Sequence, residues 1–120
     1  MAVGTGDVTY CAAFVVEPAE YTTTDSFADV TGSTLDTLNY RCVSFTIKEN
    51  NTNAIEYQVI ASNDSAFAVA VEAQASADVG KNGSGSYSAT VAPYRYYKIQ
   101  ARANVGSSQG KVTVVGYAKG

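Results

Sequence analysis

The run Pro93-Tyr94-Arg95-Tyr96-Tyr97-Lys98-Ile99-Gln100-Ala101-Arg102-Ala103-Asn104-Val105 constrains the fold more than any other part of the chain. From Tyr97 onward, apolar side chains (Tyr97, Ile99, Ala101, Ala103, Val105) alternate strictly with polar ones (Lys98, Gln100, Arg102, Asn104). Successive residues of a strand face opposite sides, so this run predicts one long β-strand with a dry face and a wet face. Tyr94 and Tyr96 fall on the wet parity beside cations.

The rest of the chain repeats that pattern in shorter pieces. Residues 7–16 place Val8, Tyr10, Ala12, Phe14 and Val16 on one parity, and Glu17-Pro18 ends the run. Glu20–Thr24 is a short extended piece, Phe27–Val30 leads to the turn Thr31-Gly32-Ser33, and 34–39 reads as loop. Tyr40–Lys48 is expected to turn Val43, Phe45 and Ile47 inward, with Glu49–Asn53 as its turn and Ile55–Ala61 as hairpin partner. Phe67–Ala73 (Phe67, Val69, Val71, Ala73 inward) and Ser86–Ala92 (Tyr87, Ala89, Val91 inward) follow, separated by a Gly-rich loop at 78–85. Lys111–Ala118 closes the series, with apolar residues on both parities.

About eight short strands and no amphipathic helix predict an all-β domain: an antiparallel β-sandwich, jelly-roll-like or an Ig-like Greek key. A chain of 120 residues suits one such domain, at 25–120, with residues 1–24 either its first strand or an arm. An arm of this kind adds a strand to a neighbour's sheet edge.

Charge is scarce and unevenly placed. Residues 1–78 hold all eleven acids and only two cations, Arg41 and Lys48 (net −9); from Val79 on there is no acid and six cations (net +6). Either the surface is two-signed and docks copies head to tail, or early and late strands interleave and the charges mix in space.

The chemistry available is limited. With no histidine, Ser-His-Asp and Cys-His catalysis and histidine metal sites are ruled out. Cys11 and Cys42 are too few for a disulfide scaffold and fit no zinc finger spacing, so free structural thiols are expected. The acid pairs Glu17/Glu20 and Asp25/Asp29 read as solvated loop charges, and no loop follows the EF-hand pattern, so no cofactor and no enzyme activity are expected. Gly80–Gly85 lacks the Gly-Lys-Ser/Thr order of a phosphate loop. The N-terminal MAVGTGDVTY has neither basic nor apolar signal regions, and no apolar run reaches membrane-spanning length, so synthesis in a host cytoplasm is expected.

A series of segments resembles the small β-sandwich virion proteins of tailed bacteriophages that decorate or cement a capsid. It comprises Ser26–Ser33, Leu35–Leu38, Ser44–Asn50, Tyr57–Asp64, Ala92–Lys98 and Gly110–Val114, and it covers about Phe27 to Ala118. The resemblance implies a virion location, the major capsid protein as partner, and a homo-oligomer (dimer or trimer), with neither membrane nor nucleic acid involved. Tyr94, Tyr96, Lys98, Arg102 and Tyr117 are the candidate interface residues, because Tyr and Arg are enriched at such contacts. Val8, Tyr10 and Phe14 join them if the N-terminal segment is an arm. The alternative function is a receptor- or carbohydrate-binding module of a phage fibre or tail, presenting Tyr94 and Tyr96 as a platform.

Overall fold

A computed structural model describes residues 13–104 and 108–120. All its regular elements are strands: β1 (Ala13–Val16), β2 (Tyr21–Thr22), β3 (Ala28–Asp29), β4 (Leu35–Asp36), β5 (Cys42–Glu49), β6 (Ile55–Ser62), β7 (Val71–Val79), β8 (Ser84–Ala89), β9 (Tyr96–Ala103) and β10 (Lys111–Lys119). They form two antiparallel sheets. Sheet A runs β1-β10-β5-β8 with β2 also on β10; sheet B runs β3-β9-β6-β7 with β4 also on β9. Taking β1/β2 and β3/β4 as one strand position each, the orders become 1-8-3-6 and 2-7-4-5, which is the jelly roll. Of the two sandwich types expected, the chain takes the first.

The alternations explain the layering. Val43, Phe45 and Ile47 of β5, Val112 and Val114 of β10, Tyr57 and Val59 of β6, and Tyr97, Ile99 and Ala101 of β9 meet between the sheets, each at most 3% exposed. Gly116 lies in this layer, where a Cβ would sit 2.6 Å from Val16 and 2.7 Å from Phe45. Only a residue without a side chain lets that aromatic ring lie flat on β10.

Several boundaries differ from the sequence expectation. The long strand starts at Tyr96 and ends at Ala103, and Val105 lies outside the described residues. The segment read as loop at 34–39 contains β4, whose Leu35 is fully buried opposite Tyr97. Ordering a two-residue strand needs a partner in space, which periodicity cannot supply. Phe67–Val69 is a loop, although its alternation is regular, and β7 begins at Val71. The Asp64 carboxylate accepts from the Ala66 and Ala68 N–H groups (3.1 and 3.0 Å), and Ser62 Oγ donates to the Val69 carbonyl at 2.5 Å. Those bonds hold Phe67 at φ +57 and leave Val69 80% exposed instead of inward. Val91 is exposed for a related reason: β8 ends at Ala89, before it.

Residues 13–16 pair with β10 of the same chain, Val15 opposite Tyr117 and Val16 opposite Gly116. The strand expected over 7–16 otherwise lies outside the described residues.

Candidate functional site

The outer face of sheet B gathers three of the expected interface residues. Tyr96, Lys98 and Arg102 project from β9 on the wet parity, and each has a partner within the chain. Lys98 Nζ lies 2.9 Å from Asp29 Oδ2 and 4.1 Å from the centre of the Phe67 ring, leaving its side chain 13% exposed. Arg102 Nε lies 3.0 Å from Glu56 Oε1, and its guanidinium caps the Phe27 ring at 4.4 Å. Arg95 binds Asp36 through two parallel bonds of 3.1 Å and covers the Tyr96 ring at 4.9 Å. Gln100 bridges Gln58 and Asp29 at 2.8 and 2.9 Å.

Each ion pair joins an acid from the early strands to a cation from the late ones. The strand order brings those halves together, so on this face the charges mix rather than forming a two-signed surface. Burial pushes the Asp29 carboxyl up, but its bonds to Gln100 and Lys98 outweigh this and hold it below the ordinary value. The Arg95 fork does the same for Asp36. Cations so engaged offer little to a phosphate backbone, which needs them free for counterion exchange.

Tyr94 does not join this face. It precedes β9, turns toward the core and meets Tyr97 edge-on at 6.4 Å, its N–H donating to the Tyr97 hydroxyl at 3.3 Å. Tyr97 is fully buried, and that burial raises its pKa to about 12. The ring of Tyr94 also lines a pocket of about 270 Å³ with Ala61, Ser62, Asn63, Asp64, Val69 and Val71. Three of its polar side chains already hold partners: Asp64 and Ser62 in the loop bonds above, and Asn63 Oδ1 on the Arg95 N–H at 3.0 Å.

The outer face of sheet A differs in kind. Val15 of β1, Val115 and Tyr117 of β10, Ser44 and Thr46 of β5, and Ser86 and Ser88 of β8 share it through the registers Val15–Tyr117–Ser44–Ser88 and Val115–Thr46–Ser86. Val15, Val115 and Tyr117 are 45%, 38% and 38% exposed. Among the described residues, no acid projects from the strands on this face, and its lysines lie toward strand ends (Lys48, Lys111, Lys119). A face with exposed apolar side chains at its middle and its lysines toward the strand ends costs little to dehydrate at that middle.

Tyr117 is therefore on a different face from Lys98 and Arg102. Phe14 is on neither: it faces inward at the edge of the core and stacks on Tyr40 at 6.4 Å. Val8, Tyr10 and Cys11 lie outside the described residues. The Cys42 thiol donates to the Thr90 carbonyl at 3.3 Å.

One functional-looking group escaped the sequence reading. Glu49, assigned there to a turn, ends β5 with 0% exposure. Its carboxylate accepts backbone N–H groups from Asn82 (2.8 Å), Thr52 (2.9 Å), Lys111 (3.2 Å) and Asn53 (3.3 Å). It thereby ties together the β5–β6 turn, the β7–β8 turn and the start of β10. Burial pushes this carboxyl up, and the donors more than offset it, holding it below the ordinary value. The signal was parity, since Glu49 continues the inward series Val43, Phe45, Ile47. Among the described residues, no group of three or more His, Cys, Asp and Glu side chains is placed to hold a metal ion. No described helix is long and apolar enough to cross a membrane.

No protein-family model matches the chain, and no curated protein matches it. Solved structures do share its fold. One is from the Bacillus endospore appendages, a family of disulfide-linked pili: TM-score 0.51 and 11% identity, over 90% of this chain and 87% of that one. Another is YomS, derived from the SPBc2 prophage: TM-score 0.52 and 11% identity, over 91% and 96%. The globular domain of zebrafish complement 1qA reaches TM-score 0.52 at 12% identity, also over 91% and 96%. At such identities the likeness is one of fold.

Proposed function

We propose that this protein is a virion structural component that attaches to the outer surface of a phage capsid as a decoration or cement protein. The observation that carries the reading is the outer face of sheet A, from whose described strands no acid projects and on which Val15, Val115 and Tyr117 are exposed. Such a face dehydrates cheaply against a partner of matching shape, and many copies sum modest contacts into particle stability. The family resemblance from Phe27 to Ala118 supports it. A prophage-derived protein and a subunit of an extracellular assembly among the fold's neighbours are in keeping with it.

The carbohydrate-binding alternative draws less support. Tyr94 is turned into the core, Tyr96 is covered by Arg95, and Asp64 and Asn63 Oδ1 of the Tyr94 pocket already accept backbone N–H groups.

The test is a cryo-EM reconstruction of the purified particle carrying wild-type protein or the double variant Val115→Lys/Tyr117→Lys. Copies in register with the icosahedral lattice, lost in the variant while its circular dichroism is unchanged, are expected. Density confined to a single vertex, or full occupancy by the variant, refutes the proposal. A glycan array hit removed by Tyr94→Ala would replace it with the sugar-binding reading.

A further inference from the structure

Among the described residues the two sheets have four lateral edges, and three of them are blunted in recognisable ways. On one side of sheet A, β1 and β2 are four and two residues long with Pro18 between them. On one side of sheet B, β3 and β4 have two residues each. The other edge of sheet B, β7, carries Glu72 and Asp78, and its pairing with β6 is interrupted by two register shifts. Short strands, proline, charge and bulges are the devices by which proteins keep edges from pairing. The fourth edge, β8, has none of them. Its sequence Ser84-Gly85-Ser86-Tyr87-Ser88-Ala89 is uncharged and proline-free, and it pairs with β5 in unbroken register from Lys48–Ser84 to Val43–Ala89.

The direction of its backbone groups follows from one bond. Glu49 N–H donates to the Gly83 carbonyl at 2.9 Å, so residues 83, 85, 87 and 89 are the ones that exchange bonds with β5. Ser84, Ser86 and Ser88 then direct N–H and C=O outward. The Tyr57 hydroxyl, which reaches from sheet B to the Ser86 carbonyl at 3.1 Å, agrees with that direction and leaves the carbonyl a second lone pair. All three serines are exposed, and their small side chains let another strand come close.

We infer that β8 is the site of edge-to-edge pairing between two copies of this chain, antiparallel about a two-fold axis at Ser86. The strand fits itself in that register. Ser86 faces Ser86 of the second copy, and Ser84 faces Ser88, so every outward N–H meets an outward carbonyl. Between them Tyr87 of one copy comes opposite Gly85 of the other on the inner side of the sheet, where Tyr57 of the same copy already covers Gly85 and Tyr87 packs against Tyr97. No charge lies on β8 to oppose the approach. The product is one continuous sheet through both copies, with the two outer faces that carry Val115 and Tyr117 side by side. The pairing needs nothing from the capsid, so it is tested on the isolated protein and stands or falls separately from the attachment proposed above.

Analytical ultracentrifugation of the full chain from about 1 µM to 1 mM, the range of weak but specific association, is the first measurement. Wild type is expected to approach twice the 12.6 kDa chain mass across that range. Ser86→Pro removes an outward N–H and no bond to β5, so it is expected to stay monomeric with unchanged circular dichroism. Should the proline disturb folding, Ser86→Lys, which sets two ammonium groups face to face across the axis, is expected to weaken association more than ten-fold.

A Ser86→Cys variant, made with Cys11→Ser and Cys42→Ser and oxidised with diamide, gives the register. Facing residues of a hydrogen-bonded pair have Cα atoms about 5.5 Å apart, within the disulfide range, so an 86–86 link is expected. A wild type that remains monomeric at the highest concentration overturns the inference. So does a dimer that survives both Ser86→Pro and Ser86→Lys, which would assign the contact to the N-terminal segment or another face, or a dimer that forms no 86–86 link.

Discussion

Removing the Glu49 carboxylate should unlatch one end of the sandwich. Four backbone N–H groups from three segments converge on this fully buried side chain. In Glu49→Ala they lose their acceptor, and a buried donor left unsatisfied costs about 1–3 kcal/mol. Some of the donors would find water once the cavity opens, so the loss should total about 3–5 kcal/mol, the range for breaking a buried charged network. With a urea m-value of about 2 kcal/mol/M, the denaturation midpoint should fall by roughly 1.5–2.5 M. Glu49→Gln keeps the volume and one acceptor oxygen but puts an NH₂ among donors, so it should lose about half as much.

The same residue sets an acid response. Its carboxyl is held below the ordinary 4.5 in the folded state, so the unfolded chain takes up the proton first as pH falls. The stabilisation is complete above about pH 4.5 and is lost as pH drops through the folded-state value. Midpoints measured between pH 7 and 3 should therefore fall more steeply for wild type than for Glu49→Gln, which keeps only the contributions of groups such as Asp29 and Asp36. A Glu49→Ala midpoint within 0.5 M of wild type, or parallel acid slopes for wild type and Glu49→Gln, would refute the latch. The urea criterion corresponds to about 1 kcal/mol.

Three other outcomes follow from the packing. Gly116→Ala places a methyl 2.6–2.7 Å from Val16 and Phe45, so it should cost about 1–3 kcal/mol and lower Tm by several degrees in a thermal melt. Tyr97, raised to about 12, should be among the last tyrosines to ionise when absorbance near 295 nm is followed upward in pH. Because its folded-state value lies above the unfolded one, its stabilisation is full below about pH 10 and lost as pH rises toward 12, and Tyr97→Phe should remove that part of the alkaline slope. A double-mutant cycle on Arg102 and Glu56, whose side chains are 30% and 14% exposed, should return a coupling of about 0.5–1 kcal/mol that shrinks in salt.

What the sequence could and could not convey follows from where each constraint resides. Alternation is local, so the inward series of β5, β6 and β9 was readable, and with it the all-β sandwich. The pairing order is not local. That early acids would meet late cations depends on β3 and β4 lying beside β9, which no window of sequence contains. The same limit explains the candidate residues. Lys98 and Arg102 looked like free cations on a wet face because Asp29 and Glu56 are 69 and 46 residues away in the chain. Tyr117 looked like half of a strand apolar on both sides, and only the sheet order places it beside Val15 on the outer face of sheet A.

β8 is the sharpest case. Read as sequence, Ser84–Ala89 is the polar end of a Gly-rich loop running into a weak strand. Whether a strand of that composition is harmless depends wholly on its position. In mid-sheet its serines would have both backbone sides satisfied and its lack of charge would mean nothing. At the end of sheet A the same residues leave one side of the ladder unpaired among the described residues. Composition made the strand uncharged and topology made it an edge, and only the two together give it a partner.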